Sequence, residues 1–283
     1  MKKHLKVLPL LLILLLLTSC GFFQNETVNN VTNKVVTVED FTINDFQSAL
    51  QIAIEKSEAS VITVVQTRNN MLSSPVSLGS AVVVKCQPKD SKGNDTEDNI
   101  SYYEYLAVTN RHVVVTSSNY ITNNLVAYVG SDNKLITTKV VSYSDKEDLA
   151  LISFSSSIYI PAAKLADTTS LKRGSFVVAI GTPYDIGFDG TATFGIISYP
   201  LRYVEEDVFV LGSTSYQTCE VAYIQHDAAI NPGNSGGGLF DIEGNLLGIN
   251  TMKIQSSTSN IIENMGFSIP THIVVEIFKE YLE

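Results

Sequence analysis

Short runs of β-branched, aromatic and other apolar residues, separated by turn residues, follow one another along most of this chain. Examples are "SVITVVQT", "GSAVVVKC", "YEYLAVT", "LALISF" and "SFVVAIG", and each has the length and composition of a β-strand. About a dozen such runs with few helices are typical of an all-β sandwich or a pair of barrels. Because 45% of the 283 residues are apolar, the chain can build a sizeable core.

Two segments break this strand pattern with a helical period. The stretch "NDFQSALQIAIEKSEAS" predicts a short amphipathic helix with Asn44 as its N-cap, and "THIVVEIFKEYLE" predicts a second helix over residues 271–283. The apolar residues spaced four apart on one face of these helices are Phe46, Leu50 and Ile54 in the first and Ile273, Ile277 and Tyr281 in the second. The polar stretch over residues 87–101 predicts an exposed loop.

The N-terminus predicts export. A cationic "MKKHLK" precedes the apolar "VLPLLLILLLL", which at about 1.5 Å per residue is too short for a hydrocarbon core of about 30 Å, so a signal peptide is favoured over a spanning helix. The stretch "LTSC" ending at Cys20 resembles a bacterial lipobox. We therefore expect a lipoprotein signal peptide over residues 1–19, and a lipidated Cys20 with a tether over residues 20–42. The alternative is an ordinary secretory signal, which would leave a soluble exported protein.

Charge and cysteine content narrow the partners. The net charge is −10, and no basic cluster follows the first six residues, which disfavours nucleic-acid binding. Cys86 and Cys219 could pair in an oxidising compartment or remain free thiols. The four histidines are too scattered for a zinc site, so neither metal nor cofactor is expected.

Three local patterns carry the candidate chemistry. "VTNRHVV" places His112 after a strand, "DKEDLALI" places Asp148 before a strand, and "GNSGG" places Ser235 in a glycine-rich turn. A serine hydroxyl needs a nearby base to act as a nucleophile, an imidazole suits that task, and a carboxylate can orient the imidazole.

These three segments, in the order His, Asp, Ser, resemble the trypsin-like serine peptidases, and among them the HtrA/DegP-like branch. The similarity covers roughly residues 43–272, with "DAAINPGNSGG" over residues 227–237. It implies a peptidase domain over residues 43–283 made of two antiparallel six-stranded β-barrels, the first over about 60–165 and the second over about 166–270. The active site would lie between the barrels, with His112, Asp148 and Ser235 as catalytic triad.

The resemblance also implies the surroundings of the triad. The backbone N–H groups of Gly233 and Ser235 would form the oxyanion hole. Ala229, six residues before the serine, would lie at the base of the S1 pocket beside Ile230, which predicts a preference for small or medium aliphatic P1 residues. Ile249 and Thr251 belong to the strand expected to pair with substrate and to help line the pocket.

Of the other histidines, only His226 competes with His112 as a base. It lies on a predicted strand nine residues before Ser235, and we interpret it as structural.

The chain departs from the family pattern in several places. Only 13 residues follow "SIP", so no PDZ domain is expected. Residues 199–223 form a longer link than the pattern requires, and Arg111 and Pro232 are minor differences within the motifs.

The resulting hypothesis is an extracytoplasmic, membrane-anchored serine endopeptidase that hydrolyses exposed or unfolded polypeptides through an acyl-enzyme. The family resemblance allows a trimer. The alternatives are a non-catalytic or latent peptidase-fold lipoprotein that binds or chaperones proteins, and a dual peptidase and chaperone.

Overall fold

The computed structural model describes residues 42–68, 71–129, 134–212, 215–251 and 264–283. The predicted signal peptide, lipidation of Cys20 and tether fall outside these residues, apart from Thr42 at the end of the tether. Within the part of the chain that the structure describes, no helix is both long and apolar enough to cross a membrane. Ile43–Glu283 forms one compact unit.

The first six strands close into one antiparallel barrel. Their bounds are β1 Val61–Arg68, β2 Met71–Lys89, β3 Tyr102–Asn110, β4 Leu125–Val129, β5 Lys134–Ser144 and β6 Leu149–Ser156. The neighbours run in the order β1-β2-β3-β6-β5-β4, and pairing of β4 with β1 closes the ring. Fully buried small and branched side chains such as Val64, Ala81, Ala107 and Ile152 fill its interior.

The last six strands close into a second antiparallel barrel. Their bounds are β7 Phe176–Gly181, β8 Thr191–Phe209, β9 Tyr216–His226, β10 Gly238–Asp241, β11 Leu246–Thr251 and β12 Gly266–Pro270. The order is β10-β11-β12-β9-β8-β7, closed by pairing of β10 with β7. The predicted all-β fold with two six-stranded barrels is therefore confirmed. The strand runs did not reveal β10, because only four residues form it directly after the glycine-rich turn.

The barrels share a hydrophobic core. Val82, Val108 and Leu151 of the first barrel join the same buried cluster as Val178 and Phe240 of the second. This shared cluster fixes the relative position of the two barrels, and it lies beneath the segments that carry the predicted triad.

The N-terminal helix, α1, spans Ile43–Glu58. Leu50 and Ile54 of the predicted apolar face pack against the shared core, and the centroid of the Phe46 ring lies 5.0 Å from that of Phe176. The helix begins at Ile43, so Asn44 lies in its first turn and is not the N-cap that the sequence predicted.

The C-terminal segment forms two short helices, α2 Thr271–Ile277 and α3 Lys279–Leu282. The single predicted helix is interrupted at Phe278, whose backbone leaves the helical region while its side chain is fully buried in the shared core. The interruption therefore coincides with the burial of this aromatic ring, and the Phe278 N–H still donates to the Val274 carbonyl at 3.1 Å.

Two polar segments take different forms. Beyond the end of β2 at Lys89, the connection to β3 is mostly exposed, which confirms most of the predicted loop. The long 199–223 link instead forms most of a β8–β9 hairpin, paired from Arg202 with Tyr223 to Phe209 with Tyr216.

The two cysteines of the described residues, Cys86 and Cys219, are free thiols and do not form a disulfide with each other. Burial raises the pKa of Cys86.

Candidate active site

The predicted base and its orienting carboxylate are in direct contact. His112 lies in a 3₁₀ turn, Arg111–Val113, that follows β3, and Asp148 lies immediately before β6. His112 Nδ1 is 2.6 Å from Asp148 Oδ2, and the His112 backbone N–H donates to Asp148 Oδ1 at 3.0 Å. The Asp148 side chain is only 4% exposed, whereas that of His112 is 37% exposed.

This contact determines the tautomer of His112. An ionised carboxylate can only accept hydrogen bonds, so Nδ1 carries the proton and Nε2 presents its lone pair. Asp148 has the unusual φ of 54°, and its carbonyl oxygen accepts from Arg111 N at 2.9 Å and Asn110 Nδ2 at 3.1 Å. The turn before β6 is therefore tied to the turn after β3 through both backbone and side chains.

Ser235 lies in the glycine-rich turn between β9 and β10 and is 6% exposed. Gly233 has φ +101°, and a Cβ there would overlap the carbonyl oxygen of Thr182. Gly236 has φ +85°, and a Cβ there would overlap the carbonyl oxygen of Ser80. Only glycine fits these two positions, so the turn is shaped by backbone packing on both sides of the serine.

The same turn presents two backbone donors. Tyr184 N–H donates to the Pro232 carbonyl at 2.8 Å, and in a trans peptide the N–H points away from the C=O, so the Gly233 N–H faces away from that loop. No described backbone group accepts from the N–H of Gly233 or of Ser235. These two N–H groups, one on each side of Asn234, are of the kind that an oxyanion hole requires.

Strand β2 connects the serine turn with the histidine turn. The Ser80 N–H donates to the Ser235 carbonyl at 2.8 Å, and a Cβ on Gly79 would lie 2.6 Å from Val113 Cγ1 and 3.2 Å from the Ser235 carbonyl oxygen. Both turns therefore pack against the same glycine. Across the described residues there is no hydrogen bond between Ser235 Oγ and the His112 ring. The His112 ring is bonded to Asp148, and the Ser235 turn is bonded to β2, which also packs against the histidine turn.

The predicted substrate-binding residues differ in exposure. Ala229 is exposed, its carbonyl accepting from Thr193 Oγ1 at 2.9 Å, and Ile230 is half-buried. Ile249 is fully buried in the shared core, and Thr251 is 1% exposed. The burial of Ile249 and Thr251 gives no support to the idea that their side chains line an open pocket.

His226 belongs to a buried polar chain behind the serine turn. Its Nε2 is 3.0 Å from Ser268 Oγ, Ser268 Oγ donates to Asn250 Oδ1 at 2.8 Å, and Asn250 Nδ2 donates to the Gly238 carbonyl at 2.8 Å. Burial lowers the pKa of His226 to about 4, so the ring is neutral near pH 7. The interpretation of His226 as structural is confirmed.

Two residues important to the site had no signal in the sequence. Ser80 Oγ donates to the Gly233 carbonyl at 2.9 Å and accepts from Thr182 N at 2.9 Å, while Thr182 Oγ1 lies 2.6 Å from Thr63 Oγ1 of β1. A serine within a strand run and a threonine just after one reveal nothing of these contacts, since the partners are more than 100 residues apart.

The double barrel with this site defines the class of the protein. The trypsin-like peptidase domain family matches residues 79–249, and the chain therefore belongs to this family. Among its relatives are HtrA- and DegP-type serine proteases at 31–38% identity. The serine protease Do-like HtrA of Lactococcus lactis subsp. cremoris is 32% identical over 264 residues, 90% of this chain and 61% of that protein.

Other similar proteins are also HtrA- or DegP-type proteases. The Lactobacillus helveticus serine protease Do-like HtrA is 37% identical over 177 residues, 62% of this chain and 39% of the relative, and the Escherichia coli periplasmic serine endoprotease DegP is 36% identical over 60% of this chain and 33% of its own length. A solved HtrA-type protease, AlgW with a tripeptide, superposes with a TM-score of 0.55 at 28% identity, covering 82% of this chain and 62% of that one. The chain thus spans less than two thirds of these relatives.

Proposed function

We propose that this chain is an extracytoplasmic serine endopeptidase that cleaves exposed or unfolded polypeptides, with His112, Asp148 and Ser235 as its triad. The observation that carries this proposal is the 2.6 Å contact between His112 Nδ1 and Asp148 Oδ2, made beside a serine turn in which the N–H groups of Gly233 and Ser235 donate to no described backbone carbonyl. A protein-binding role alone would require neither an oriented imidazole nor open donors next to a serine.

The reaction follows from these positions. When substrate binds, Nε2 of His112 accepts the proton of Ser235 Oγ as the oxygen attacks the scissile carbonyl. The N–H groups of Gly233 and Ser235 stabilise the oxyanion, and Asp148 stabilises the imidazolium. His112 then returns the proton to the leaving amine, and a water molecule activated by the same imidazole hydrolyses the acyl-enzyme. The absent Ser235–His112 hydrogen bond would form in this first step, since such bonds are often long before substrate binds.

The exposed Ala229 supports the proposed P1 preference. It stands six residues before Ser235 and has no charge to pair with a lysine or arginine of the substrate, and the partly buried Ile230 beside it is apolar. We therefore expect cleavage after small or medium aliphatic residues such as Val, Ala or Thr.

Membrane anchoring through Cys20 is the second part of the proposal. The cationic and apolar leader ending in "LTSC" supports it, because two or more acyl chains hold a protein stably at a bilayer. The wild type should incorporate a palmitate analogue at Cys20, and replacement of Cys20 by serine should abolish that incorporation. Absence of label in the wild type, or equal labelling of the Cys20→Ser variant, would contradict the anchor.

The activity is tested with the purified full-length protein in detergent, incubated with unfolded casein beside a Ser235→Ala copy. We expect degradation by the wild type alone, with cut sites after aliphatic residues on mass spectrometry. Equal degradation by both proteins would refute the triad, and cleavage mainly after Lys or Arg would refute the P1 preference. Casein binding without cleavage by either protein would favour the latent or binding alternative.

A further inference from the structure

The tip of the β8–β9 hairpin reaches across to the first barrel. The Val210 carbonyl accepts from Asn119 Nδ2 at 2.9 Å, and the Gly212 N–H donates to the Asn119 carbonyl at 3.3 Å. The Leu211 N–H donates to Asp145 Oδ2 at 3.2 Å. Three consecutive residues of the second barrel are thus bonded to two loops of the first, and these loops are the ones next to His112 and Asp148.

Arg111 lies at the centre of this contact. Its residue exposure is 6%, its Nε forms an ion pair with Asp145 Oδ1, and its Nη2 donates to Asn119 Oδ1 at 2.6 Å. A guanidinium that is withdrawn from water needs such partners, because an unpaired buried charge is strongly destabilising. Asn119 therefore joins the cation to the hairpin tip, accepting from Arg111 and donating to Val210.

The Arg111–Asp145 ion pair joins the same two turns as the proposed catalytic pair, His112 and Asp148. Arg111 directly precedes His112, and Asp145 lies three residues before Asp148 in the same turn. The Arg111 N–H also donates to the Asp148 carbonyl at 2.9 Å. In addition to the bonds to the Asp148 carbonyl, two side-chain pairs thus join the turns, His112 with Asp148 and Arg111 with Asp145.

We propose that Arg111, Asn119, Asp145 and the hairpin tip Val210–Gly212 form a latch whose role is to position the His112–Asp148 pair for catalysis. Arg111 and Asp145 act as positioning residues, since they act through their neighbours and not on the substrate. The latch also assigns a role to the long hairpin, which holds the second barrel against the turns that carry the base and its carboxylate. This inference rests on the proposed peptidase activity.

The two charges of the latch have opposite effects on the imidazole. With Arg111 removed, Asp145 keeps a partly buried negative charge that favours the imidazolium; with Asp145 removed, Arg111 keeps a buried positive charge that disfavours it. The other charged groups on this turn are Asp148 and the Lys146–Glu147 pair, 3.2 Å apart with a Lys146 side chain 56% exposed. The titratable groups that face this turn from other elements are Tyr223 and Glu206 of the hairpin, near Asp148 and Glu147, and Cys219 and Glu276, near Lys146. All of them are unchanged in the variants below. The exposed Lys146 is largely screened by solvent, which makes it a suitable control.

The test compares Arg111→Met, Asp145→Asn, the double variant and Lys146→Met in full-length protein. We expect the midpoint of the acidic limb of the kcat/KM profile to move to higher pH in Arg111→Met and to lower pH in Asp145→Asn, by about half a pH unit or more. It should return close to the wild-type position in the double variant. At the pH optimum, kcat should fall about tenfold or more in each single variant with a smaller change in KM, while Lys146→Met remains within about twofold.

Two further variants separate charge from geometry. Arg111→Lys keeps the charge and should leave the midpoint unchanged while recovering part of kcat. Asn119→Ala removes the side-chain bonds to Arg111 and to the Val210 carbonyl without changing the charge, and should lower kcat with no shift of the midpoint. Should Arg111→Met not fold, Asp145→Asn still tests the shift of the midpoint and Asn119→Ala still tests the change in kcat. Equal direction of the shifts in the two single variants, or wild-type kcat in both, would overturn the latch.

A second readout does not require activity. In the Ser235→Ala background, the titration of the His112 ring followed by NMR should show the same opposite displacements. If the wild type does not cleave casein but the NMR midpoints move in opposite directions, the proposed activity fails and the electrostatic part of the latch stands. If the wild type cleaves through Ser235 and the midpoints coincide in all variants, the latch fails alone.

Discussion

The backbone N–H of Ser80 donates to the carbonyl oxygen of Ser235 at 2.8 Å, across the boundary between the two barrels. The Ser80 hydroxyl adds two bonds across the same boundary, to the Gly233 carbonyl and from the Thr182 N–H. The serine turn of the second barrel is thus held in place by one residue of the first. The geometry of the proposed nucleophile and oxyanion hole therefore depends on how the barrels dock.

Replacement of Ser80 by alanine removes a single oxygen atom but should lower activity clearly, because two hydrogen bonds are lost with it. The variant leaves the Thr182 N–H and the Gly233 carbonyl without their partner, at a cost of about 1–3 kcal/mol each if no water replaces the hydroxyl. We expect a clear fall in kcat and in the midpoint of urea unfolding. Ser77→Ala, an exposed position on the same strand, should change both by little; equal effects of the two substitutions would contradict the role of Ser80.

Asp148→Asn should remove most turnover while leaving the fold intact. An amide cannot act as an acceptor-only group toward the His112 ring and backbone, so the tautomer with a free Nε2 lone pair is no longer selected. In serine peptidase triads this substitution lowers turnover about 10⁴-fold. Steady-state kinetics and circular dichroism check this expectation, and a loss of less than tenfold with native secondary structure would argue against Asp148 as the orienting residue.

Gly233→Ala should affect both folding and catalysis, whereas Gly174→Ala should affect folding alone. Both glycines have positive φ, +101° and +82°, but a Cβ on Gly233 meets the Thr182 carbonyl while none of the surrounding atoms lies within 4 Å of one on Gly174. Holding an alanine at positive φ should destabilise each of the two variants by about 1–2 kcal/mol. The added displacement of the Gly233 N–H should lower kcat by about 10²- to 10³-fold. Similar kcat values for the two variants would exclude that N–H as an oxyanion donor.

Acid should destabilise the protein partly through His226. Its pKa is lowered from 6.5 to about 4 in the folded protein, chiefly by burial, so the unfolded chain binds one more proton between these values. The neutral His226 ring therefore contributes its full share of the free energy of unfolding above pH 6.5. This share, about 3 kcal/mol, is lost as the pH falls toward 4. The free energy of unfolding of the wild type and of His226→Gln is measured in urea at pH 7 and at pH 4. The difference between the two proteins should be smaller at pH 4. Parallel pH dependences would show that His226 does not titrate in this way.

The strands were largely predictable from the sequence because each buried run is short, β-branched and bounded by turn residues. β10 was not, since four residues after several glycines carry no periodic signal, and pairing with β7 and β11 alone makes them a strand. The helix break at Phe278 was hidden for a related reason. It coincides with the burial of the Phe278 ring in the shared core, a tertiary contact that local helix propensity does not reveal.

The candidate triad was predictable because its residues sit in local motifs, whereas the contacts that arrange it are long-range. Nothing in the sequence around Ser80 or Asn119 indicates bonds to Gly233 or to Val210, which lie 153 and 91 residues away. Arg111 drew attention only as a departure from the family motif, and its burial against Asp145 becomes visible only when the two turns are seen together.

The central claim is that Ser235 is a nucleophile activated by His112, and covalent labelling tests it most directly. The full-length protein is treated with a fluorophosphonate, which reacts with activated serines, and the adduct is located by peptide mass spectrometry. We predict a single adduct on Ser235, formed at least about 10²-fold more slowly in His112→Ala. No adduct on Ser235, or labelling of Ser235 at the same rate without His112, would contradict the claim.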